Sequence, residues 1–101
     1  MIEGLVQLIQ HKGWGNHTIA GMATAGIPHA ALIADRLCTP MIYVRSGPKA
    51  HGKGNQVEGE LPQNLPVVLI EDLVNQGKSL IQGVEGLRKA KATIAGALSI
   101  V

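Results

Sequence analysis

One segment constrains this chain more than any other: Val67 to Ser79, VVLIEDLVNQGKS. Four apolar residues lead into the adjacent carboxylates Glu71 and Asp72. A short stretch containing Gly77 follows, and a helical pattern opens at Lys78 and Ser79. An apolar run that ends in paired carboxylates and turns into a helix start is the way an α/β domain presents chemistry. The strand places the carboxylates at its carboxyl end, where loop amides and the helix N-terminus face an anion. A ligand with both a phosphate and ribose hydroxyls suits such an end best.

The rest of the chain alternates in the same manner. Ile2, Leu5, Val6 and Ile9 share one face of a predicted helix over Ile2 to Gln10. His11 to His17 is a glycine-rich link, and TIAGM (Thr18 to Met22) reads as a buried strand. Ala23 to Gly26 forms a tight loop. A helix over Ile27 to Leu37 follows, with Pro28 in the first turn, where proline is tolerated. MIYVR (Met41 to Arg45) is a second strand. Ser46 to Gly54 is polar, glycine-rich and basic, a mobile loop by composition. Gln56 to Leu61 is either a short strand or the far side of that loop. Val67 to Glu71 is the third main strand, Ser79 to Lys91 the next helix, and Thr93 to Val101 the last strand. This order predicts a single α/β domain over residues 1–101, a doubly wound parallel sheet.

Composition narrows the function. A chain of 101 residues supports one core; at this size about two-thirds of the unfolded surface is buried. Charged residues make up 16%, below the usual share of about 25%, so a partner is expected to cover part of the surface. Trp14 and Tyr43 are the only aromatics, and the net charge is +2. Base stacking and a nucleic-acid footprint are both disfavoured. No apolar stretch approaches the roughly 18 residues of a membrane span, and Glu3 interrupts any signal-like start. The lone Cys38 fits a reducing cytoplasm and reads as a small buried hydrophobe. His11 and His17 lack ligand-like spacing, so no protein metal site is expected. Trp14 is expected to cover a core edge, and His29 to be packed or partly exposed.

With right-handed crossovers and the order 2-1-3-4, the first and third main strands are neighbours. Their carboxyl ends are ATAG (Ala23 to Gly26) and EDLVNQGKS (Glu71 to Ser79). These two loops would form opposite lips of one crevice, suited to a ligand with two phosphate groups.

Three stretches carry a family resemblance. EDLVNQGKS resembles the phosphoribosyl-pyrophosphate signature of the type I phosphoribosyltransferases. YVRSGPKAHGKGNQVEG, Tyr43 to Gly59, contains R-x-x-x-K-x-H-G and resembles the catalytic loop of orotate phosphoribosyltransferases. GMATAGIPHAALIADRL, Gly21 to Leu37, is similar to that family's pyrophosphate loop and following helix. The resemblance implies orotate phosphoribosyltransfer in pyrimidine synthesis, with phosphoribosyl pyrophosphate and orotate as substrates. It also implies Mg2+ held mainly by the substrate, and a homodimer whose catalytic loop reaches the neighbouring site.

The residues then take roles. Displacing pyrophosphate from a ribose carbon builds positive charge on the sugar and negative charge on the leaving group, so catalysis is mostly positioning and electrostatic stabilisation. Lys49, His51 and Asp72 are the candidate catalytic residues. Arg45, Lys49 and His51 would close over the pyrophosphate, and His51 would protonate a phosphate oxygen. Glu71 and Asp72 would accept ribose hydroxyls. Asn75, Gln76, Gly77, Lys78 and Ser79 would cradle the 5′-phosphate, and Thr24, Ala25 and Gly26 the pyrophosphate.

Some positions depart from the pattern. The family's phosphate loop usually reads D-x-x-x-T-G-x-S, whereas here Gln76 precedes Gly77 and Lys78 follows it. Ser46 and Gly47 stand where a further lysine is usual. Family members also carry an amino-terminal hood that holds the base, and this chain reads as a reduced core truncated at both ends: a fragment, a split product or a reduced homologue. A non-catalytic phosphoribosyl-ligand binding module is the alternative function.

Overall fold

The computed structural model describes residues 2–45, 56–72 and 78–100. Helix α1 spans Ile2–His11, strand β1 Thr18–Met22, helix α2 Gly26–Leu37, strand β2 Met41–Val44 and strand β3 Val57–Glu58. Strand β4 spans Val67–Asp72, helix α3 Lys78–Lys89 and strand β5 Ile94–Ile100. The sheet order is β3-β2-β1-β4-β5. The predicted order 2-1-3-4 of the main strands is therefore observed, with β1 parallel to both β2 and β4, and β4 parallel to β5. The expected parallel sheet carries one antiparallel addition, at the stretch left open between strand and loop. Gln56 to Leu61 contributes a two-residue edge strand, β3, which pairs antiparallel with β2 through Tyr43–Glu58 and Val44–Val57.

Helices cover both faces, so the central strands read as continuous apolar runs. On one face Val6, Ile9, Ala30 and Ile33 of α1 and α2 pack on Ile19, Val68 and Ile70. On the other, Leu80, Val84 and Leu87 of α3 meet Ala20, Met22, Val67 and Leu69. Alternation along β1 and β4 divides these residues between the two clusters. Trp14 is partly buried against the first cluster, at the core edge as expected.

The three helices of the described residues end in the same way. In α1, Trp14 N–H donates to Ile9 and Gly13 N–H to Gln10. In α2, Thr39 N–H donates to Ala34 and Cys38 N–H to Asp35. In α3, Ala92 N–H donates to Leu87 and Lys91 N–H to Arg88. Each is the paired bonding of a Schellman stop, which requires one left-handed residue. Only α1 uses glycine, Gly13 at φ 78; Cys38 and Lys91 adopt φ 58 and φ 66. This corrects two expectations. Helix α3 ends at Lys89 rather than Lys91, because Lys91 turns left-handed. Cys38 is exposed, not buried, because the cap position carries its side chain off the end of α2.

Candidate functional site

Strand β1 is the switch point of the sheet: the chain leaves it through α2 to β2 on one side, and β4 flanks it on the other. Ligands of open α/β sheets bind outside the strand carboxyl ends at such a point. Two glycines bring its walls together. A Cβ at Gly21 would lie 2.7 Å from the Gly26 carbonyl oxygen and 2.9 Å from the Ala30 Cβ. A Cβ at Gly26 would lie 2.6 Å from the carbonyl oxygen of Ile70. The N-terminus of α2 therefore rests directly on β1 and β4, and the ATAG loop stands beside the Glu71–Asp72 end of β4. The predicted opposition of these two lips is present for the described residues.

Within the ATAG loop, the Ala23–Thr24 peptide is cis. Ala23 N–H continues the β1–β2 ladder by donating to the Val44 carbonyl at 2.8 Å. Thr24 is exposed, Ala25 half-buried and Gly26 buried. No side chain caps α2. His29 is partly buried, as expected, and its Nδ1 lies 3.2 Å from the Ala25 carbonyl oxygen. A carbonyl only accepts, so Nδ1 carries the proton in this contact. The ring thus braces the loop from the first turn of α2, a contact that no motif in the sequence signals.

On the other lip, Glu71 is buried at 3% exposure and stands in register with Ser99, and Asp72 with Ile100. Alternation places Glu71 on the α3 side, with Val67 and Leu69. Asp72 is the last residue of β4, and Lys78 and Ser79 open α3. The predicted residues Lys49, His51, Asn75, Gln76 and Gly77 lie outside the described residues.

Arg45 follows β2 directly. Its Nε lies 3.1 Å from Glu58 Oε2, and its guanidinium carbon 5.8 Å from the Tyr43 ring centroid. Its charge is thus engaged at the foot of the 46–55 segment, by a partner thirteen residues away that local spacing does not reveal. Among the described residues no group of three His, Cys, Asp or Glu side chains is placed to hold a metal ion, and no helix is long and apolar enough to cross a membrane.

A family model described as the phosphoribosyl transferase domain matches residues 2–101. The chain is 53% identical over 98 residues to the orotate phosphoribosyltransferase of Bacillus pumilus, covering 97% of this chain and 46% of that protein. It is 50% identical over 98 residues to that of Levilactobacillus brevis, covering 97% and 47%. The solved orotate phosphoribosyltransferase of Aeropyrum pernix superposes with a TM-score of 0.74 at 32% identity, over 97% of this chain and 57% of that one. The chain spans about half the length of the curated relatives it matches.

Proposed function

The chain belongs to the phosphoribosyl transferase domain family, and on that footing we propose that it is the phosphoribosyl-binding part of an orotate phosphoribosyltransferase. In this reaction the bond from the ribose C1 to pyrophosphate breaks and a ring nitrogen of orotate takes its place. The observation that supports the reading best is the packing of Gly26 against the Ile70 carbonyl. It sets the ATAG loop beside a strand end bearing two carboxylates.

The residues divide the work. The Asp72 and Glu71 carboxylates receive ribose hydroxyls and offset the sugar's developing charge. Amides and side chains from Asn75 to Ser79 take the 5′-phosphate at the start of α3, where the helix dipole favours an anion. Thr24, Ala25 and Gly26 line the pyrophosphate side. Lys49 and His51 stabilise the departing pyrophosphate, and His51 delivers a proton to its oxygen. The Asp72 and Glu71 carboxylates ending β4 are oxygen donors of the class Mg2+ accepts; the ion would be held chiefly by the substrate's own oxygens and would supply charge neutralisation there.

The same reading places the chain in the cytoplasm, in pyrimidine synthesis, and as a homodimer. Leu32 is exposed on α2, surface that a second copy would cover. Light scattering at tens of micromolar tests the dimer. The function is tested by calorimetry with phosphoribosyl pyrophosphate and Mg2+, followed by an orotate-consumption assay on the same sample. Binding with orotate-dependent pyrophosphate release is expected. Binding without turnover would make the chain a ligand-binding module, and no binding would defeat the reading altogether.

A further inference from the structure

Gln56 joins three parts of the molecule. Its side-chain amide donates to the Arg45 carbonyl at 3.3 Å and to the Gln82 carbonyl in α3 at 3.2 Å. Its own carbonyl accepts the Arg45 N–H at 2.8 Å. The side chain lies against α3 where the helix has no side chain of its own. A Cβ at Gly86 would lie 3.0 Å from the Cβ, the Cδ and the Nε2 of Gln56. Gly86 is one turn beyond Gln82, so Gln56 reaches the Gln82 carbonyl through the space that a side chain at 86 would fill. A glycine in mid-helix is unfavourable relative to alanine, and this contact is what the glycine permits. Arg45 is held a second time by Glu58. Arg45 and Gln56, the described residues on either side of positions 46–55, are therefore tied to each other, and Gln56 is tied to α3.

We propose that Gln56, seated on Gly86, is a positioning residue that fixes the ends of the segment bearing Lys49 and His51 to the helix that opens at Lys78. The base from which those charges reach the leaving group in the neighbouring site is thereby referred to α3, one rigid element. The catalytic part of this inference rests on the transferase reading; the joint itself rests on the contacts alone.

The test compares Gln56→Ala, Gln56→Glu, Gly86→Ala and the Gln56→Ala/Gly86→Ala double variant in the 101-residue chain. Amide exchange at Arg45 is followed against the core amides of Ile19 and Val68, together with kcat and KM. Exchange at Arg45 should rise about tenfold in each single variant while the core amides stay unchanged, as in local opening. The double variant should lose less than the sum of the two single changes, because the Cδ and Nε2 that a side chain at 86 would meet are already gone and only the Cβ of residue 56 remains in its way. Gln56→Glu should be the most damaging, because a carboxylate would face two carbonyl oxygens with no N–H to donate. In an active chain kcat should fall about tenfold or more with KM for phosphoribosyl pyrophosphate within about twofold, the cost of misplacing a group without removing it.

Unchanged exchange at Arg45, or additive effects of the two alanine variants, would overturn the joint. Faster exchange with unaltered kcat would overturn the positioning role. If wild type shows no turnover, the transferase reading fails and the positioning role falls with it, while the exchange data still decide the joint. Gln56→Ala keeps the test sound should Gly86→Ala not fold, since it only trims a partly exposed side chain.

Discussion

Gly26 and the carbonyl oxygen of Ile70 are in such close approach that a methyl group on Gly26 would lie 2.6 Å from that oxygen. The oxygen belongs to the backbone of the interior strand β4, flanked by β1 and β5, and has little room to retreat. Helix α2 can begin where it does only because position 26 has no side chain, and the same contact sets the width between the two lips of the crevice.

Gly26→Ala should therefore behave unlike most glycine-to-alanine changes in helices, which stabilise. We expect a loss of about 1–3 kcal/mol, the usual cost of overpacking, measured by urea unfolding. Binding of phosphoribosyl pyrophosphate should disappear in calorimetry as α2 shifts. A variant as stable as wild type with intact binding would show that the contact does not position the loop.

The helix stops offer the opposite test. Cys38 and Lys91 hold left-handed backbones at φ 58 and φ 66, a conformation costing roughly 1–2 kcal/mol for a residue with a Cβ. Cys38→Gly and Lys91→Gly should each raise stability by about 1 kcal/mol, net of the glycine's greater freedom when unfolded. The two gains should add, since the positions cap helices on opposite sheet faces and share no partner. Thermal melts of the two single variants and the double check both points.

Thr18 begins β1 with no exposed surface, and its Oγ1 has no hydrogen-bond partner among the described residues. Thr18→Val keeps the shape and removes a desolvated hydroxyl. Stability should rise by about 1 kcal/mol, or roughly 4 °C or more in melting temperature for a domain of this size. A lower melting temperature would mean that the hydroxyl is satisfied in solution.

Lys49→Ala and His51→Ala should separate binding from chemistry. Each removes a group that stabilises charge on the leaving pyrophosphate, so turnover should fall on the order of a hundredfold. Affinity for ribose 5-phosphate, which engages the Asn75–Ser79 side, should stay within about twofold, since that ligand has no leaving group for the loop to hold. Full activity in both variants would remove the loop from the mechanism.

Much of the frame was legible in order along the chain. VVLI and TIAGM are apolar runs bounded by turn residues, and they became strands buried on both faces. Ile2, Val6 and Ile9 share one helical face, and that face found the core. Local spacing suffices for these elements because burial demands an apolar surface wherever the strand or helix ends up. The two lips of the crevice were legible for a related reason: right-handed crossovers leave few places for β1 and β4 except side by side.

What the sequence by itself determined is therefore the strand order of the four main strands, the two covered faces, and the family-like residues at the strand ends. The tertiary structure alone decided the pairings across the chain. Arg45 meets Glu58, Gln56 meets Gln82 over Gly86, and Gly26 meets Ile70. It also decided that Cys38 turns outward at a left-handed cap and that β3 runs antiparallel. The physical reason is range. An apolar period is enforced along a single element, whereas a hydrogen bond or a close approach depends on where two elements are brought to rest, and only the packed sheet and its helices settle that.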